Sequence, residues 1–192
     1  MSAIHQPMSV AEFLDWEERQ AVKYEFDGLR PVAMSGGTAS HARIQRNLAI
    51  AIGGRLIGKS CEFFGSDVKI EVAGRIRYPD GFVVCAAPPG GATILRDPVV
   101  IFEVTSPGTA GTDLFAKNEE YAATPSVQRY VILAQDAMKG TMFKRSGADW
   151  VGHMLTAGSI LEMPEIGVEV QLAEFYRVVD LSPASADSAA SA

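Results

Sequence analysis

Cysteine is scarce in this chain: there are 2 in 192 residues, Cys61 and Cys85, and neither belongs to a CxxC pair. Histidine is as rare, with 3 in all, and His5, His41 and His153 stand at no spacing that suits zinc. Long apolar runs are missing too; nothing approaches the roughly 20 residues needed to span a bilayer. The opening MSAIHQPMSVAEF has no basic stretch followed by an apolar run, so no secretory signal is expected. These absences point to a cytoplasmic protein with reduced thiols and no membrane partner. No nucleophile-elbow sequence surrounds Cys85, so a cysteine hydrolase using His41 or His153 is set aside in favour of an ordinary buried thiol.

What is present suits one globular domain. The hydrophobic fraction is 47% and the charged fraction 21%, close to soluble averages, and the length is enough to bury a core without staples. Residues 1–181 read as a single domain, whereas 182–192 (PASADSAASA after Ser182) are small and polar and read as a disordered tail. Net charge is −6, which argues against a polyanionic partner. The distribution softens that objection: residues 41–77 carry seven basic and three acidic groups, and residues 149–192 carry one and seven.

Ser9 and Glu12 fit a capping box, so a short helix is expected over 10–20. A strand at 24–26 enters a turn at Asp27-Gly28 and returns over 31–34. The longest helix is expected at roughly 40–58, where Ile44, Leu48, Ile52 and Leu56 form one apolar stripe and Gly53-Gly54 weaken it. Arg43 and Arg46 lie off that stripe, facing solvent or a polyanion. Short strands are expected at 61–64, 68–72, 75–78, 82–86 and 99–105, with a hairpin turn at Gly74. A helix from Thr112 or Asp113 stops near Ala123, before Pro125. A strand at 130–133, a hairpin of 142–144 with 150–155 around Ser146-Gly147, and a helical turn at 172–176 complete the pattern.

Two carboxylates stand out. Val99-Val100-Ile101-Phe102-Glu103-Val104 is apolar on both faces, as in the centre of a sheet, and alternation puts Glu103 on the face of Val99 and Ile101. A carboxylate there is costly unless a cation or hydrogen-bond donors meet it, and a structural ion pair would serve as well as a metal. Asp80 sits between Tyr78-Pro79 and the apolar run Gly81-Phe82-Val83-Val84. If 82–86 and 99–105 pair antiparallel, Asp80 and Glu103 converge, and a divalent cation would relieve their repulsion. Mg²⁺ fits, because it takes oxygen ligands and keeps waters. Lys117 shares a helix face with Asp113, which reads either as a surface ion pair or as a cation placed near a substrate.

Pro79-Asp80, Glu103-Val104-Thr105-Ser106-Pro107, Asp113 and Lys117 resemble the PD-(D/E)XK nuclease superfamily. With Tyr24-Glu25-Phe26-Asp27-Gly28, Ser40-His41, Phe64-Gly65-Ser66-Asp67-Val68 and Glu120-Tyr121-Ala122, the chain resembles the Uma-two family of restriction endonucleases over about residues 8–177. The resemblance implies an α/β, restriction-endonuclease-like core: a central mixed sheet flanked by helices, with metal-bound carboxylates at its centre. It implies that Asp80, Glu103 and the carbonyl of Val104 hold Mg²⁺, with Mn²⁺ as a substitute. The superfamily's usual lysine position, two residues past the glutamate, is Thr105 here, and the resemblance points to Lys117 instead. Glu25 and His41 match family positions, as an accessory metal ligand and as a contact to a phosphate or base edge.

The expected function is hydrolysis of nucleic-acid phosphodiesters, DNA before RNA, with Asp80, Glu103 and Lys117 as catalytic residues and Arg43 and Arg46 steering the backbone. A homodimer is implied by resemblance alone. The alternative is a nuclease-fold binding or assembly protein without turnover, favoured by the net charge and by Thr105.

Overall fold

Ser9 starts the first helix as the sequence suggests: its hydroxyl accepts from the Glu12 amide at 3.3 Å and its own amide donates to the Glu12 carboxylate at 2.8 Å. The computed structural model describes residues 8–105 and 112–181, the side chains of 112–114 excepted. The tail expected at 182–192, Ser106-Pro107 and the side chain of Asp113 lie outside the described residues.

In chain order come α1 (Val10–Glu17), β1 (Tyr24–Phe26), β2 (Pro31–Ala33), α2 (Ala39–Leu48), a π-helical turn (Ala49–Gly53) and α3 (Gly54–Leu56). Six strands follow: β3 (Glu62–Gly65), β4 (Lys69–Val72), β5 (Arg75–Arg77), β6 (Gly81–Val84), β7 (Ile94–Leu95) and β8 (Val100–Thr105). Then come α4 (Thr112–Ala122), β9 (Arg129–Ala134), β10 (Gly140–Ser146), β11 (Asp149–Leu155), β12 (Ile160–Met163), β13 (Val168–Gln171) and a closing 3-10 turn (Leu172–Tyr176). No helix among the described residues is long and apolar enough to cross a membrane.

The main sheet is six-stranded and mixed, in the order β11-β10-β9-β8-β6-β3. β8 and β9 are parallel and the other neighbours antiparallel. A parallel pair needs a crossover, and α4 supplies it. Its two faces are both covered, which is why β8 reads as a continuous apolar run. On one face Val100, Phe102 and Val104 pack with Ile44, Leu48, Ile52 and Leu56, the stripe expected for the long helix. That helix is a single run of turns from 39 to 56, but a π-helical turn interrupts it and ends on Gly53, the first of the glycine pair. On the other face Phe82 and Ile101 pack with Tyr121 of α4 and with Ile70 and Val72 of a second sheet.

That second sheet is five-stranded, in the order β2-β1-β5-β4-β7. Ala73 and Gly74 both have positive φ in the β4–β5 turn, 47° and 73°, as a tight hairpin requires. α1 closes its outer side by stacking Phe13 on Phe26, with ring centroids 5.0 Å apart. β12 and β13 form a separate two-stranded ribbon over the core.

The thiol expectation is corrected. Cys61 and Cys85 are joined in a disulfide. Glu62 pairs with Val84 across β3 and β6, so the residues just outside that pair face each other.

Candidate active site

The antiparallel register of β6 on β8 pairs Gly81 with Phe102. One step further out, Asp80 and Glu103 are brought to the same end of the sheet, Asp80 facing α2 and Glu103 facing α4. Val104 lies beyond Gly81, the first β6 residue, so its amide on the β6 side has no ladder partner. Asp80 takes it: the Val104 N–H donates to Asp80 Oδ2 at 2.6 Å. In an extended strand the carbonyl of a residue points to the same edge as its amide, so the Val104 oxygen opens on the Asp80 side. The other Asp80 oxygen accepts from Gln45 Nε2 at 2.7 Å and lies 2.8 Å from His41 Nε2. Both reach it from α2, one turn apart on the same helix face.

Glu103 points to the opposite face of the sheet from the α2 stripe and is 8% exposed. It meets α4, where Lys117 Nζ stands 3.2 Å and the Tyr121 hydroxyl 3.3 Å from Glu103 Oε1. Burial pushes its carboxyl up to about 8; the nearby charges of Asp80 and Glu25 add to that, and Lys117 opposes it. The hydrogen bond to Asp80 raises the His41 pKa above its ordinary value, against the effect of burial. Lys117 itself is 7% exposed. Lys117 is therefore buried and not at the surface, and Glu25 of β1 also lies 3.2 Å from its ammonium; its pairing with Asp113 falls outside the described side chains.

Glu25 belongs to a buried ionic chain. Its Oε1 also accepts the Tyr78 amide at 3.1 Å, and its Oε2 accepts from Arg77 at 3.1 Å. Arg77 in turn makes a two-pronged contact with Glu120, at 2.6 and 2.8 Å. Four elements, β1, β5, β8 and α4, are tied together by these charges.

The carboxylates open into a cleft of about 520 Å³. Ser35-Gly36-Gly37-Thr38, His41, Gln45, Ser66, Tyr78 and Gln135 line it with Glu25, Asp80, Glu103, Val104 and Lys117. Arg43 and Arg46 are not in this lining; the Arg46 guanidinium is turned to Asn47 at 3.0 Å. The residues' own surroundings brought Asp80, Glu103 and Lys117 forward and the resemblance added Glu25 and His41; all five line the cleft. Gln45 and Tyr121 were missed. Gln45 lies four residues after His41, and Tyr121 four after Lys117, a spacing that carries the signal for both.

No group of three or more His, Cys, Asp or Glu side chains forms a metal cage among the described residues. Mg²⁺ uses one or two carboxylates and retains waters. The all-oxygen set of Asp80, Glu103 and the Val104 carbonyl fits such an ion.

A mixed sheet flanked by helices, with paired acids and a lysine at its centre, defines a restriction-endonuclease-like domain. The Uma2 family, described as "Putative restriction endonuclease", matches residues 10–173, and the chain belongs to it. Two curated relatives come from Synechocystis sp. The uncharacterized protein slr1290 is 31% identical over 92% of this chain and 95% of its own length. The uncharacterized protein sll1609 is 27% identical over 73% of this chain and 82% of its own. Among solved structures, a "putative nuclease belonging to DUF820" from Anabaena variabilis superposes with a TM-score of 0.74. It covers 89% of this chain and 98% of that one at 15% identity, a likeness of fold.

Proposed function

We propose that the chain is a Mg²⁺-dependent endonuclease that hydrolyses DNA phosphodiesters, with Asp80, Glu103 and Lys117 as its catalytic residues. The observation that carries this reading is the meeting of those three side chains, from β8, α4 and the segment before β6, in one open cleft. Asp80, Glu103 and the Val104 carbonyl would hold the ion. The ion supplies charge that polarises a phosphoryl oxygen and acidifies a water. Lys117, whose stem is buried, neutralises charge developing on the phosphoryl group. The Val104 amide, Gln45 and His41 fix the orientation of Asp80, and Tyr121 donates to Glu103. Arg43 and Arg46, on α2 but outside the cleft, act on the approaching backbone at longer range.

The test is cleavage of supercoiled plasmid with Mg²⁺ or Mn²⁺. Wild-type protein is expected to nick or cut, Asp80→Ala to fall to background, and Lys117→Met to lose about a hundredfold in turnover. Cleavage undiminished in Asp80→Ala would refute the assignment.

A second reading is a nuclease-fold binding protein without turnover. It is favoured by the engagement of both Asp80 oxygens with three donors and by the lysine beside Glu103. Divalent-metal titration separates the two, since this reading expects no uptake at the carboxylates.

A further inference from the structure

The cleft that holds Asp80, Glu103 and Lys117 is short of positive charge. Its lining carries one lysine, Lys117, and one histidine, His41, against the three acids Glu25, Asp80 and Glu103. Lys23 reaches the lining residue Ser66, donating to its carbonyl at 3.1 Å, but its charge is paired with Asp67 at 2.7 Å. Nor can the chain bring more from outside the described residues, because all 17 of its lysines and arginines lie within them. A surface that grips a duplex neutralises several phosphates with such residues, and this lining does not. The acids are also recessed: Glu103 and Lys117 are buried, and the Asp80 side chain is 12% exposed. A sphere of the cleft's volume, about 520 Å³, is roughly 10 Å across, less than the ~12 Å major groove of B-DNA and so less than the duplex itself. One wall, by contrast, is apolar. Val32, Ala33 and Met34 form it at the edge of the smaller sheet. Val32 pairs with Glu25 across β1 and β2, so both side chains stand on the face that looks into the cleft, and Val32 is still 42% exposed.

We propose that the cleft takes single-stranded DNA, with an unstacked base against Val32 and Met34 and the adjoining phosphate at Asp80, Glu103 and Lys117. The inference rests on the endonuclease reading given above and narrows its substrate. A duplex turns sugars and phosphates outward and gains nothing from an apolar wall. An unpaired base has an apolar face, and burying it there offsets the stacking lost when it leaves its neighbours. A single strand is also narrow enough to carry a phosphate down to recessed acids, and it needs few cations to hold it. Duplex DNA would reach the acids only where its strands part, at a gap, a bubble or a flap.

A fluorescein-labelled oligonucleotide, alone or annealed to its complement as a linear duplex, tests this on the full chain. Fluorescence anisotropy with Ca²⁺ reads binding, and a denaturing gel with Mn²⁺ reads cleavage. The single strand is expected to bind at least about tenfold more tightly than the duplex, the effect of one base contact, and to be cut at least about tenfold faster. In a duplex with a central unpaired bubble, the cuts are expected to fall inside the bubble. Val32→Glu, which charges the wall, is expected to weaken single-strand binding about tenfold. Ile57→Glu, at an exposed site outside the lining, is expected to change it less than about twofold. A duplex bound and cut as well as the single strand would overturn the proposal, and so would single-strand binding unmoved by Val32→Glu. The wild-type comparison decides the matter even if the glutamate variant does not fold. Preferential single-strand binding without any cleavage would sustain the cleft's preference and defeat the endonuclease reading. Preferential cleavage of the duplex would do the reverse, and binding of neither DNA would overturn both.

Discussion

Glu103 carries an acid into a sheet centre, and its protonation should govern the metal-free protein near neutrality. Its folded pKa, raised by burial to about 8, lies above the ordinary 4.5. Over the window between, the folded chain keeps a proton that the unfolded chain releases, so stability falls as pH rises. His41 acts in the same direction: its raised pKa gives stability that is full below the ordinary 6.5 and is lost as pH climbs through the folded value. Urea melts of metal-free protein are therefore expected to show higher stability at about pH 5 than at about pH 8. The opposite order would mean that Glu103 is ionised in the fold. Arg77, 3% exposed between Glu25 and Glu120, sets a second expectation. Arg77→Ala leaves two buried acids poorly compensated and should cost about 3–5 kcal/mol. Arg96→Ala, which breaks an exposed pair with Glu71, should cost less than about 1 kcal/mol. Denaturant midpoints of the two variants make the comparison. At this scale the sequence marked Asp80 and Glu103 through their apolar surroundings. It could not show that Lys117 is buried, because its spacing to Asp113 reads equally well as a surface pair.

At the scale of elements, local chemistry accounts for most of what formed. The capping box at Ser9, the stripe from Ile44 to Leu56 and the turn glycines Gly74 and Gly147 each did what their residue types dictate. The β12–β13 ribbon was not anticipated, although its alternation was readable: Leu161, Met163, Val168 and Val170 are buried, and Glu162 and Glu169 face outward. The disulfide was missed for a different reason. Nothing local says that β3 pairs with β6, and only that pairing brings Cys61 to Cys85. Closing a loop of that length should contribute about 3 kcal/mol through the unfolded chain. Cys85→Ser is expected to lower stability by that amount, measured in urea with and without reductant. A variant whose stability equals that of the oxidised wild type would show the bond to be inconsequential. Gly140 gives a sharper test of strand packing. A Cβ there would run into the Ile132 carbonyl oxygen, backbone that cannot rotate away. Gly140→Ala should therefore destabilise by about 1–3 kcal/mol or more.

For the whole molecule, two sheets and α4 meet where the charges are buried, and the cleft opens at that junction. The overall charge of −6 works against a polyanionic partner, and the basic surplus in residues 41–77 works for it. If Arg43 and Arg46 steer DNA, replacing each with alanine should reduce the slope of log affinity against log salt by about 0.9. An unchanged slope would remove them from the binding surface. Hydrophobic period marked most of the strands, and the resemblance to the family supplied their arrangement in a mixed sheet. The way the smaller sheet folds over β8 was not readable, because it depends on pairings remote in sequence. The proposed chemistry stands or falls on Asp80 and Glu103 sharing one divalent ion. Diffraction from a crystal soaked in Mn²⁺ decides whether they do. An anomalous peak between the two carboxylates, within bonding distance of both, is the predicted result. A peak elsewhere, or none with Lys117 still beside Glu103, would contradict it.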